Sequence, residues 1–202
     1  MNLPNKLTVF RIILVPIMVI MPYLGIDGEL FGIPISWLIM DLIFIIASIT
    51  DKLDGSIARK NNQITTFGKF LDPIADKILV LAAMVMLVEM LKLPAWIPVI
   101  VLFREFIVSG YRLIASQEGG QVIAASIWGK LKTVTQMIAI IMMFLDKYAF
   151  FGFIYVSARS AMNPFELIFN VLTSIIMLIS VIATIFSGWD YIKDGKELLK
   201  DR

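Results

Sequence analysis

The chain has 202 residues, of which 59% are hydrophobic and only 17% charged, with a mean hydropathy of +0.87. Soluble domains carry about 25% charged residues, so this composition excludes an ordinary water-soluble globule. Cysteine and histidine are both absent, which excludes disulfides, zinc–thiolate and iron–sulfur centres, thiol nucleophiles, histidine-ligated haem and a Ser-His-Asp triad, and leaves Asp, Glu, Lys or Tyr as any general base.

Apolar windows of about 20 residues suffice to cross a bilayer, and they recur along the whole chain. Residues 1–7 contain Pro4 and Lys6 and are expected along the membrane interface. A first span runs from about Thr8 to Tyr23. It contains Arg11 and is followed by no small-residue cleavage site, so it reads as a retained helix. Asp27-Gly28-Glu29 marks a turn. A second span starts near Ile35 and runs through Thr50 into the segment Asp51–Arg59 as one long helix. Lys60-Asn61-Asn62-Gln63 is a polar break. The third helix begins at Thr65 or Thr66, carries Gly68, Asp72 and Asp76, and becomes purely apolar to about Leu91; Pro73 falls early in it, where a missing N–H matters least.

Pro94 and Pro98 bracket the start of a fourth span, which passes through Arg104 to about Ser116. Gly119-Gly120 breaks the chain before a fifth span, about Ala124 to Leu145. A looser stretch from Asp146 to Asn163 leads to the sixth, about Pro164 to Phe186, and a charged tail follows from Gly188, expected as a solvated helix on the membrane surface. Glu166, Asn170, Thr173, Ser180 and Thr184 recur at roughly helical spacing and read as a packing or dimer face. Met137, Met142 and Met143 read as lipid-facing filler. No repeat or low-complexity segment interrupts residues 1–202, which form a single domain. The expected fold is all-α: a polytopic membrane protein with six transmembrane helices and both termini on one side. Of the 18 lysines and arginines, only Lys92, Lys147 and Arg159 fall on the far side. The positive-inside rule therefore gives a cytoplasm-facing active site in a cell membrane.

Against this apolar background, Asp51, Asp54, Asp72 and Asp76 stand out. On helices, Asp51 and Asp54 share a face, as do Asp72 and Asp76. Bringing four carboxylates together is unfavourable without a positive partner. An all-oxygen donor set suits Mg2+ or Mn2+, and two such metals can clamp a diphosphate and stabilise a phosphoryl-type transfer. Gly55, Ala58 and Gly68 continue these faces as small residues that admit a close ligand, and Arg59 adds a cation.

The spacing D-x2-D-G-x2-A-R-x8-G-x3-D-x3-D is read here by Asp51, Asp54, Gly55, Ala58, Arg59, Gly68, Asp72 and Asp76 without departure. On these residues the chain resembles the CDP-alcohol phosphotransferase family. The resemblance implies transfer of a substituted phosphate from a CDP-linked donor to an alcohol, with release of CMP. It implies two divalent metals on the four aspartates, Asp76 as the base toward the acceptor hydroxyl, and a nucleotide site of Asp54, Gly55, Ala58, Arg59 and Gly68. Asn5, Thr8 and Arg11 recur every three residues on one helix face and resemble the N-terminal element of the family branch that uses glycerol 3-phosphate, which adds them to the CDP-binding set. The family also implies a homodimer.

For the acceptor, Arg104 and Arg112 lie about two turns apart on one helix face, and Lys130, Lys132 and Thr133 open the next helix, with Glu105 available to pair with a cation. Such a pocket suits an acceptor that carries its own phosphate. The segments around Arg104 and Lys130 resemble the same branch, which implies CDP-diacylglycerol as donor and glycerol 3-phosphate as acceptor. The alternatives are the same chemistry on inositol phosphate, phosphatidylglycerol or serine. A divalent-cation transporter is more remote, because its acidic residues would lie deeper in several spans. No nucleic-acid partner is expected.

Overall fold

The computed structural model describes residues 3–60, 66–117 and 126–194, with side chains for residues 5–51, 71, 74–112 and 126–193. The breaks expected at residues 61–63 and 119–120 and most of the charged tail lie outside them. Among the described residues six long helices carry the fold: α1 (Leu3–Ile20), α2 (Ile35–Lys60), α3 (Thr66–Glu89), α4 (Trp96–Gln117), α5 (Ile127–Leu145) and α7 (Pro164–Asp194). The short α6 (Val156–Ala161) precedes the last of these. Among the described residues, three stretches are long and apolar enough to cross a membrane, at Asn5–Leu24, Ile127–Leu145 and Pro164–Lys193. Large apolar side chains such as Ile13, Val85, Phe103, Ile138 and Ile182 face outward. An outside of this kind suits hydrocarbon, where helices satisfy their backbone polar groups internally. This is an all-α integral membrane protein.

The helix ends follow local chemistry. Ser126 caps α5, its hydroxyl accepting from the backbone N–H of Gly129 at 3.3 Å. At the start of α7, Asn163 Oδ1 accepts from Glu166 N at 2.9 Å while Glu166 Oε2 accepts from Asn163 N at 3.0 Å. This reciprocal pair, with Pro164 in the first helical position, fixes where α7 begins.

Packing places α1 on α2 and α3, α5 on α7 and α2, and α4 on α7. Met18, Met40, Phe44, Leu79, Met84, Ile97, Ile140, Met143, Phe144 and Met177 form the shared core. Met143, expected to face lipid, is fully buried there. The polar stripe of α7 packs inward as expected: Asn170, Thr173, Ser180 and Thr184 are buried against the bundle, whereas Glu166 pairs with Lys147 at 2.5 Å near its start.

Three local features differ from expectation. Residues 29–34 form a two-stranded hairpin, β1 (Glu29–Leu30) with β2 (Ile33–Pro34), in the register Glu29↔Pro34. Its two-residue turn places Phe31 at φ 56° and Gly32 at φ 75°, the positive-φ pair that a tight hairpin requires. The N-terminal residues are already helical from Leu3, so α1 takes in much of the segment expected to lie along the interface. Finally, α7 runs unbroken through Gly188 to Asp194, and Tyr191 within it is buried. The first turns of the expected surface tail thus belong to the bundle.

At the α5 C-terminus the buried Lys92 closes the bundle. Its ammonium donates to the carbonyls of Met143 at 2.9 Å and Phe144 at 3.3 Å, and to that of Asp146. It also lies 4.0 Å over the Trp37 ring. Asp146 accepts from Asn170 Nδ2 at 2.9 Å, which ties α7 to the same point.

Candidate active site

The opposite end of the bundle collects the residues expected to carry chemistry. The backbone of α2 stays helical through Asp51, Asp54, Gly55, Ala58 and Arg59, and that of α3 through Gly68, Asp72 and Asp76. Asp51 and Asp54 therefore stand one turn apart on one helix, and Asp72 and Asp76 one turn apart on its neighbour, with α2 and α3 in contact. The side chains of Asp54, Gly55, Ala58, Arg59, Gly68 and Asp72 lie outside the described residues. Those of Asp51 and Asp76 are described, and each lies within electrostatic reach of the other, with Arg11, Lys132 and Glu105 also acting on Asp76.

Arg11 shows how the first helix contributes. It is fully buried, and its guanidinium Nη1 is 2.5 Å from Asp51 Oδ1. A buried guanidinium without a counter-charge would be strongly unfavourable, so the pair fixes α1 against α2 beside the aspartates. Asn5 and Thr8, on the same face of α1, are buried at 7% and 1% exposure. The three residues expected to act together are thus on one inward face, with Arg11 engaged by Asp51.

Next to Asp76 a cavity of about 710 Å³ opens between α3 and α4. Asp76, Lys77, Glu105, Ser109, Arg112 and Lys132 form its polar end, and aliphatic and aromatic side chains such as Leu81 and Phe106 line the rest. Glu105 is its hub. Its Oε1 accepts from Lys132 Nζ at 2.6 Å and from Arg104 Nη1 at 2.8 Å, while its Oε2 is 3.9 Å from Lys77 Nζ. Lys77 also donates to the Ser109 hydroxyl. From α7, the Ser187 hydroxyl accepts from Arg104 Nη2 at 2.6 Å. Tyr191 takes Arg112 through a 2.9 Å hydrogen bond to its hydroxyl and lies under both guanidinium groups, 5.7 and 5.9 Å from the ring centre.

Of the five residues expected at an acceptor phosphate, Lys132 and Arg112 line the cavity and Arg104 stands behind it. Lys130 and Thr133 do not line it. Both are exposed on α5, and the Thr133 hydroxyl is spent on the carbonyl of Gly129 at 3.0 Å. Sequence reasoning left out Lys77, Ser109, Ser187 and Tyr191. Ser187 and Tyr191 continue the stripe of Ser180 and Thr184 at helical spacing, and that periodicity was the available signal. Lys77 carried none beyond its place beside Asp76.

Carboxylates from two packed helices, with no thiolate or imidazole donor in the chain, would make a hard oxygen set suited to divalent metals of the Mg2+ type. The adjoining cations can receive an anion, and the wide apolar part of the cavity can receive hydrocarbon. Together these suit a reaction between a lipid-linked phosphate and an anionic polar molecule.

Comparison with known proteins agrees with this geometry. Residues 1–186 match the model of the CDP-alcohol phosphatidyltransferase family. A Bacillus subtilis protein named CDP-diacylglycerol--glycerol-3-phosphate 3-phosphatidyltransferase is 41% identical over 204 aligned positions, covering 98% of this chain and 97% of the relative. Proteins of the same name are 46% identical in Haemophilus influenzae, over 69% of this chain and 73% of the relative, and 35% identical in Rickettsia bellii, over 97% and 96%. The fold, the paired-aspartate helices and these matches together assign the chain to the CDP-alcohol phosphatidyltransferase family.

Proposed function

We propose that the chain transfers the phosphatidyl group of CDP-diacylglycerol to sn-glycerol 3-phosphate, giving phosphatidylglycerophosphate and CMP. The observation that carries this reading is the position of Asp76, which lies within electrostatic reach of Asp51 on α2 and lines a cavity together with Lys77, Arg112 and Lys132. Three cations are more than a neutral or zwitterionic acceptor such as serine requires. They match a phosphate monoester, whose charge at neutral pH is about −1.5 to −2.

In this reading Asp51, Asp54, Asp72 and Asp76 hold two divalent metals, Mg2+ or Mn2+. When bound, these supply positive charge to the donor diphosphate and to the departing CMP. Asp76 accepts the proton of the glycerol 1-hydroxyl as its oxygen bonds to the β-phosphorus of the donor. The bond from that phosphorus to the CMP oxygen breaks, and CMP leaves with the electron pair. Asp54, Gly55, Ala58, Arg59 and Gly68 border the nucleotide together with Asn5 and Thr8, and Arg11 orients Asp51. Lys132 and Arg112 bind the acceptor phosphate, and Arg104 supports them from Ser187. The diacyl chains of the donor stay among the helices. We further propose six crossings, with the aspartates and both termini on the cytoplasmic face, and a homodimeric assembly.

The reaction is tested by measuring CMP release from CDP-diacylglycerol with glycerol 3-phosphate, inositol phosphate, phosphatidylglycerol and serine in turn. Purified protein with added Mg2+ or Mn2+ should release CMP with glycerol 3-phosphate and at most weakly with the others. Release with another acceptor alone would replace the substrate assignment and leave the chemistry intact.

A further inference from the structure

Glu105 occupies a place that the reaction itself does not explain. It stands where three elements meet, receiving Lys132 from α5 at 2.6 Å and Arg104 from its own helix α4 at 2.8 Å, with Lys77 from α3 at 3.9 Å. Lys132 is only 7% exposed. An ammonium taken that far out of water needs a counter-charge and a fixed acceptor. Glu105 supplies both while using one of the three Lys132 donors, so the others stay available to a ligand. The same oxygen takes Arg104, whose Nη2 is held by Ser187. Lysine and arginine are thereby locked side by side beside the cavity that borders Asp76.

We propose that Glu105 is a positioning residue for the phosphorylated acceptor. Its carboxylate holds the Lys132 ammonium and the Arg104 guanidinium against their mutual repulsion, with Lys132 presented to the acceptor phosphate, and it touches neither the phosphate nor the reacting atoms. A carboxylate that bound the phosphate directly would repel it. A carboxylate that acted as base would have to release Lys132 and Arg104 first. This inference rests on the reading of the α3–α4 cavity as the acceptor pocket and assigns to that pocket the residue that sets its affinity.

The test is steady-state kinetics of CMP release by the purified full-length protein, with each substrate varied in turn. Glu105→Gln keeps the size of the side chain and removes its charge. It should raise the KM for glycerol 3-phosphate about tenfold or more, while kcat and the KM for CDP-diacylglycerol stay within about twofold. Glu105→Asp restores the charge on a shorter stem and should recover part of the acceptor affinity, and it serves as the comparison if the Gln variant does not fold. An unchanged or lowered acceptor KM, a fall in kcat alone, or equal increases for both substrates would overturn the proposal. Lys132→Ala in the same assay separates the two readings. If it raises the acceptor KM and Glu105→Gln does not, the pocket stands and the role of Glu105 falls. If neither variant moves the acceptor KM, both fall.

Discussion

At the scale of single residues, the chemistry is set by which carboxylates are already committed. Glu105 is engaged by Lys132 and Arg104, and Asp51 by Arg11. Asp76 borders the cavity and feels both carboxylates and both cations around it, and in the proposed reaction it takes the proton of the entering hydroxyl. Asp76→Asn keeps the shape and loses the basicity. It should lower kcat at least about 100-fold, the scale of general-base catalysis, while binding of CDP-diacylglycerol, followed by titration calorimetry, is largely retained. Near-normal turnover would remove Asp76 as base. The aspartates were legible in the sequence because charge stands out in an apolar chain and helical spacing is rigid. The Glu105 hub was only half legible: the sequence showed that a cation could pair with it, but three elements distant in sequence converge there. Tyr191 was hidden for the same reason, since its partners Arg104 and Arg112 lie on another helix.

At the scale of elements, the ends of the helices matter more than their apolar middles. The last carbonyls of α5 have no partner within the helix, and Lys92, from the turn between α3 and α4, supplies their donor. Lys92→Met keeps an apolar side chain of similar length and removes every donor. Three buried acceptors lose their partner and Asp146 loses its nearby cation, a loss of about 3 kcal/mol. The unfolding temperature in detergent should fall by about 5–10 °C. CMP release measured well below that temperature should keep its wild-type rate, because the 13 residues of α3 from Asp76 to its end at Glu89 already span about 20 Å, and Lys92 lies in the turn beyond. A variant as stable as the parent would deny Lys92 this role. Long helices were legible from uninterrupted apolar runs, and the starts of α2 at Ile35 and of α3 at Thr66 agree with the polar signals that flank those runs. The hairpin at residues 29–34 was not, because its strands have two residues each and its turn puts Phe31, not glycine or asparagine, at positive φ. The length of α7 was missed because Gly188 and the charges beyond it resemble a stop. The burial of Tyr191 against Arg104 and Arg112 instead carries the helix past them.

For the molecule as a whole, a bilayer blurs the signal that identifies an inner face. Both the core and the lipid-facing surface are apolar, so Met143 could be assigned to lipid although it is fully buried. Polar residues escape that ambiguity, which is why the inward stripe of α7 was readable and the methionines were not. Orientation is likewise a matter of charge. The exposed Arg159 lies in α6 just before α7, and the exposed Lys193 lies near the end of α7. If α7 crosses the membrane once, these two positions stand on opposite sides. The chain has no cysteine, so a single introduced thiol reports its own position without background. In intact cells, Arg159→Cys should react with a membrane-impermeant maleimide. Lys193→Cys should react only after the membrane is made permeable. The reverse pattern would place the aspartates and the cation-lined cavity outside the cell, away from a cytoplasmic supply of glycerol 3-phosphate. Labelling of both positions in intact cells would instead show that α7 does not separate them across the bilayer, which would overturn the six-crossing arrangement.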